Sequence, residues 1–127
     1  MNLNEVKIVG NLVKVPEIQH TPKGTPVANV SLGVNENYTV DDEKRKVTTF
    51  VEVQVWGPSA ENLAKMVRKG QEIFVAGALR QDTWEDKETG KPRSRLFVKA
   101  DNWQFTQYKA MDERREALRG QNHGMER

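Results

Sequence analysis

The segment Thr49-Phe50-Val51-Glu52-Val53-Gln54-Val55-Trp56 alternates strictly in character. In a strand, successive side chains point to opposite sides. Val51, Val53 and Val55 therefore form one apolar face, and Phe50, Glu52, Gln54 and Trp56 form the other. With the valines turned to a core, two large rings stand on a solvated face among polar groups. The chemistry of such a face is non-covalent: its rings stack on planar partners, nucleic-acid bases above all. The same parity puts Arg80, Asp82 and Trp84 on one face, opposite Leu79, and Arg93, Arg95, Phe97 and Lys99 on one face, opposite Leu96 and Val98. Three segments thus carry aromatics or cations on the side away from an aliphatic stripe. Rings for bases and cations for phosphates are what binding of an unpaired strand requires. For one strand, packing of Phe50 and Trp56 under a loop or a subunit partner is an equal alternative. For all three together it is the weaker one.

Covalent chemistry finds little footing. The chain has no cysteine, and His20 and His123 lie in a turn-rich loop and a charged C-terminal segment. Both read as solvated surface residues, so no catalytic residue, enzyme activity or cofactor is expected. Asp41-Asp42-Glu43 lacks the spaced ligands and central glycine of a calcium loop and has Lys44 beside it, so no metal site is expected either. Gly10, Gly33, Gly57, Gly70 and Gly77 are scattered and form no phosphate-binding loop. The net charge of +2 is too small to announce a nucleic-acid partner, which leaves that argument to the distribution of charge. No apolar run approaches the roughly 20 residues of a membrane span, and Met1-Asn2-Leu3-Asn4-Glu5-Val6-Lys7 shows no secretory signal. A cytoplasmic protein is the expectation.

The elements that must position these side chains follow from periodicity. Val6 to Val15 reads as a strand with a bend at Gly10, and Pro16 to Pro26 as a turn-rich connection. Val27 to Asn35 is a second strand, with Ala28, Val30, Leu32 and Val34 on one face. Asn37 to Lys46 is a charge-dense loop, and the key strand runs from about Val47 to Trp56. After Gly57-Pro58, the spacing of Ala60, Leu63, Ala64 and Val67 predicts a helix of about three turns, with Ser59 able to cap it and Gly70 to stop it. Ile73, Val75, Gly77 and Leu79 alternate as a fourth strand. Asp86 to Pro92 is a hairpin tip, and Ser94 to Phe105 a fifth strand with Leu96, Val98 and Ala100 inward. Three strands, a helix and two strands are the order of an all-β class, the five-stranded OB-fold, a Greek-key barrel with one α-helix between strands 3 and 4; another α+β arrangement of the same elements is the alternative. Residues 1–105 form this domain, and 106–127 are expected to be a flexible charged tail.

The chain resembles bacterial single-stranded DNA-binding proteins from Asn2 to about Phe105. The resemblance is carried by Val9-Gly10-Asn11-Leu12, Pro16-Glu17, Pro26 to Leu32, Trp56-Gly57, Ala60-Glu61, Val67-Arg68-Lys69-Gly70, Val75-Ala76-Gly77, Leu79-Arg80 and Trp84-Glu85-Asp86. It implies sequence-tolerant binding and protection of single-stranded DNA during replication, recombination and repair, and a homotetramer, with a dimer as the smaller option. It places stacking aromatics at Tyr38, Phe50, Trp56 and Trp84, and basic contacts at Lys69, Arg80 and Arg93. Lys7, Lys46, Arg95 and Lys99 join them by parity and loop position. The stacking scale of about 1–3 kcal/mol per base belongs to proteins of this kind, not to this sequence.

The chain also departs from the family's pattern. Gln19-His20 replaces an arginine and tyrosine often found there, Glu52 stands where a basic residue would help, and Asp41-Asp42-Glu43 adds repulsion. The chain ends in Gly124-Met125-Glu126-Arg127 where the family usually carries an acidic, apolar tip, so the resemblance does not extend to recruitment of replication or repair enzymes through such a tip. A rival reading is a primosomal-type OB-fold interaction module, in which Phe50 and Trp56 cover a protein partner and nucleic-acid binding is weak.

Overall fold

The computed structural model describes residues 1–106; of the expected tail, all but Thr106 lies outside the described residues, as does His123. The elements are β1 (Val6–Leu12), β2 (Glu17–His20), β3 (Pro26–Val40), β4 (Glu43–Trp56), α1 (Pro58–Met66), β5 (Glu72–Glu85) and β6 (Pro92–Phe105). One sheet runs β1-β5-β6-β4-β3-β2, and a β1–β3 pairing closes five of its strands into a barrel. All pairings are antiparallel except β4 with β6, which meet in parallel at Val53–Val98 and Gln54–Lys99. This is the expected OB-type barrel with its helix between the third and fourth barrel strands.

Closure rests on two glycines. A Cβ on Gly10 would meet the Gly33 carbonyl at 3.0 Å, which is why β1 can bend across β3 there. A Cβ on Gly77 would collide with the Lys99 carbonyl, at the register shift where β5 bends against β6. The inward residues then meet in one core, where Val30, Leu32, Val53, Leu63, Ile73, Val75 and Val98 are all buried. Helix α1 seats Ala60 and Leu63 on that core. No helix among the described residues is long and apolar enough to cross a membrane.

Four local expectations are corrected. The connection Pro16 to Pro26 contains strand β2, paired along β3 from Glu17–Asn29 to His20–Pro26, because Ile18 packs against the core. The proline at each end confines it to four residues. The loop expected from Asn37 to Lys46 is mostly ladder: β3 and β4 stay paired out to Val40–Glu43. They turn on Asp41 and Asp42 alone, both with positive φ (51° and 66°), the backbone a two-residue hairpin turn requires. Ser59 does not cap α1. The N-cap is Gly57 with no side-chain bond, and Ser59 Oγ accepts a 2.9 Å hydrogen bond from the Trp103 indole. The helix ends at Met66, nine residues long, before Gly70. Leu96 does not point into the core; it is 61% exposed, since β5 and β6 run past the barrel and no layer lies beneath them there.

Candidate nucleic-acid interface

Because β4 and β6 run parallel, the β3–β4 and β5–β6 hairpins project as arms from the same end of the barrel. The outward faces of β4, β6 and β5 lie side by side below them. On β4 this face carries Phe50, Glu52, Gln54 and Trp56, with Phe50 67% and Trp56 40% exposed. Trp84, on the outward face of β5, is 47% exposed and stands opposite Arg93. These rings are held on strands, partly exposed to solvent, and none belongs to the core.

The parallel β4–β6 contact places cations against rings. It sets Lys99 beside Gln54, and the Lys99 ammonium lies 5.1 Å from the centroid of the Trp56 ring. One residue pair further along β6, the Arg95 guanidinium lies 4.9 Å above Phe97. Phe97 is therefore covered. Sequence parity puts it on the outer face, but it is only 5% exposed and forms the floor of the strip. Arg80 stands opposite Phe97 on β5.

The cations differ in how far they are committed. Arg93 Nε donates to Asp86 Oδ2 at 3.1 Å, and Arg95 faces Asp82 at 3.6 Å. Lys7 pairs with Glu5 at 3.4 Å. Arg80, Lys46, Lys69 and Lys99 have no carboxylate within ion-pair distance among the described residues. Asp86 also accepts backbone N–H bonds from Glu88 (2.8 Å) and Thr89 (3.3 Å). These bonds, and then Arg93, hold its carboxyl below the usual aspartate range and rigidify the β5–β6 tip.

Phe50, Trp56, Trp84, Arg80, Arg93, Arg95 and Lys99 therefore share one outer strip. Tyr38 does not: its register partner is Arg45, whereas Lys46 pairs with Asn37 on the face of Phe50. The two meet at an open hollow of about 450 Å³ on the arm, lined by Asn37, Tyr38, Thr39, Lys44, Arg45 and Lys46. Lys7 lies on β1 beside Ala76, one strand further round the barrel. Lys69 is in the turn between α1 and β5, off the strip. Reading 37–46 as a loop hid Lys44 and Arg45. The β-favouring run Tyr38-Thr39-Val40 was the local signal that the strand continued. Trp103 is the contrast: it packs on the core, edge-on to Phe105 at 5.6 Å. Among the described residues no three histidine or carboxylate side chains converge as metal ligands would.

The chain has likenesses among known proteins. Residues 3–106 match the model of the Single-strand binding protein family. The chain is 32% identical over 102 residues to Single-stranded DNA-binding protein 1 of Synechocystis, covering 80% of this chain and 82% of that one. It is 43% identical over 98 residues to the single-stranded DNA-binding protein of Thermus thermophilus, spanning 77% of this chain but 35% of that longer one. A crystal structure of a deletion mutant of the single-stranded DNA binding protein from Thermus aquaticus superposes with a TM-score of 0.73 at 29% identity, covering 84% of this chain and 52% of that one.

Proposed function

The chain belongs to the single-strand binding protein family, and on that premise we propose that it binds single-stranded DNA along the outer strip of β4, β6 and β5. Binding is tolerant of sequence and protects unpaired strands during replication, recombination and repair. The observation that carries this reading is the exposure of Phe50, Trp56 and Trp84 on one rigid face, interleaved with Lys99, Arg80, Arg93 and Arg95. Exposed rings on strands are pre-organised to stack, and each base they accept must first be unpaired. The only helix among the described residues, α1, spends its apolar side on the core and has one basic residue in its last turn, so it offers nothing like a major-groove recognition helix. Tyr38 and Lys46 extend the path onto the β3–β4 arm, and Lys7 and Lys69 serve strand segments that continue round the barrel. The working form is a homotetramer around which the strand wraps, in the cytoplasm with the nucleoid, acting without catalysis.

Gel shifts with matched single and double strands test the central point, and equal affinity for both would sink it. Salt tests the mechanism. With about five phosphate contacts, from Lys46, Arg80, Arg93, Arg95 and Lys99, the slope of log K against log salt is expected near −3.5, at about −0.7 per contact. A slope near zero instead favours an interaction module whose exposed rings cover a protein partner.

A further inference from the structure

On the β4 side of the strip, between Phe50 and Trp56 along the strand, stands a carboxylate. Glu52 shares their face of β4 and sits opposite Ser31 on β3. Ser31 is 8% exposed, and its hydroxyl donates a 2.7 Å hydrogen bond to Glu52 Oε2. The carboxylate is thus pinned to the strip. No lysine or arginine lies within ion-pair distance of it among the described residues, and its Oε1 has no hydrogen-bond partner there. Its neighbour on the same face, Gln54, is oriented too: Gln54 Oε1 accepts the Trp56 indole N–H at 3.1 Å, which leaves the amide N–H groups to donate outward.

A carboxylate fixed on a path for a polyanion repels any phosphate brought to it, so the backbone must pass to one side. What then faces Glu52 is a base edge. A carboxylate only accepts, and the four bases differ in what they can donate. Guanine presents N1–H and the N2 amino group side by side, matching two carboxylate oxygens with two charge-assisted bonds. Cytosine and adenine offer one amino group beside a ring acceptor. Thymine offers a single N3–H flanked by two carbonyls that repel the charge. Resting on the single-strand reading above, we propose that Glu52, held by Ser31, reads a base edge between the Phe50 and Trp56 stacking positions and biases this otherwise sequence-tolerant strip toward guanine and against thymine.

The test uses three oligonucleotides of equal length: all-thymine, thymine with guanine at every third position, and the same with deoxyinosine, which lacks the N2 amino group. Equilibrium titration at one salt concentration is expected to show the guanine strand binding about five- to tenfold tighter than the other two. Glu52→Gln should bring the three affinities within about twofold of each other, mainly by weakening the guanine strand, with its melting temperature showing that the fold is kept. Ser31→Ala, which frees the carboxylate, should reduce the preference without abolishing it. Equal binding of guanine and inosine strands by the wild type, or a preference that survives Glu52→Gln, overturns the assignment while leaving strand binding standing. Failure to bind any of the three overturns the single-strand reading and this inference with it.

Discussion

Val98 and Leu96 lie two residues apart on β6 with the same parity, yet Val98 is 1% exposed and Leu96 61%. Leu32 and Val40 on β3 repeat the contrast at 0% and 44%. The first of each pair lies in the closed barrel, the second on an arm. Alternation states which side of a strand a residue is on. Whether anything lies on that side depends on closure, and the arms extend beyond the far wall that the barrel supplies. The arms therefore have two wet faces. One continues the strip of rings and cations; the other carries Tyr38, Val40 and Val47 on one arm and Leu96 on the other.

The sharpest way to break this contrast is to truncate one leucine on each side of it. Leu32→Ala should destabilise the domain by about 2–5 kcal/mol, through lost burial and the cavity left behind. Leu96→Ala should cost within about 0.5 kcal/mol, as for other surface positions. Chemical denaturation of both variants measures the difference, and comparable losses would mean that the arm is covered.

The tryptophans sharpen it next. Trp84→Ala should weaken oligonucleotide binding by about 1–3 kcal/mol with an unchanged melting temperature. Trp103→Ala should do the reverse, lowering the melting temperature because its ring packs on the core and its indole bonds Ser59. Titration followed by thermal melting separates the two. Collapse of the fold in Trp84→Ala would place that ring in a core.

A smaller effect is expected at the β3–β4 tip. Asp41 and Asp42 both hold positive φ, which asparagine and glycine adopt more readily. Replacing the pair by Asn-Gly should stabilise the arm by about 1 kcal/mol and slow amide exchange across Tyr38–Arg45, with little change in the barrel. Exchange measured by NMR would show whether the gain is confined to the arm.

The smallest concerns pH at the other tip. The Asp86 carboxyl is held below the usual aspartate range, so its ionised form favours the folded tip. That contribution should be complete above about pH 4 and disappear as pH falls through the lowered value. The Glu88 and Thr89 amide resonances should move with that titration, and in Asp86→Asn they should no longer follow it. A midpoint at or above the ordinary aspartate value would contradict the hydrogen bonds described.

Five barrel strands, their order and the helix were legible in the sequence, because β-alternation and one helical stretch are local properties that survive into the fold. So was the face of Phe50, Glu52, Gln54 and Trp56, since the parity of Val51, Val53 and Val55 leaves it no other side. The sequence could not reveal that β2 forms, because a four-residue strand between prolines exists only where Ile18 finds a core. Nor could it separate Tyr38 from Phe50, since that depends on the β3–β4 register set by the turn at Asp41 and Asp42, or bury Phe97 under Arg95, since that depends on how the Arg95 side chain lies along β6. The meeting of Lys99 with Trp56 required the parallel β4–β6 contact, a pairing between residues more than forty positions apart that no local pattern encodes. Local periodicity decided which way each side chain faces; closure of the barrel decided which of them met a core, a partner or water.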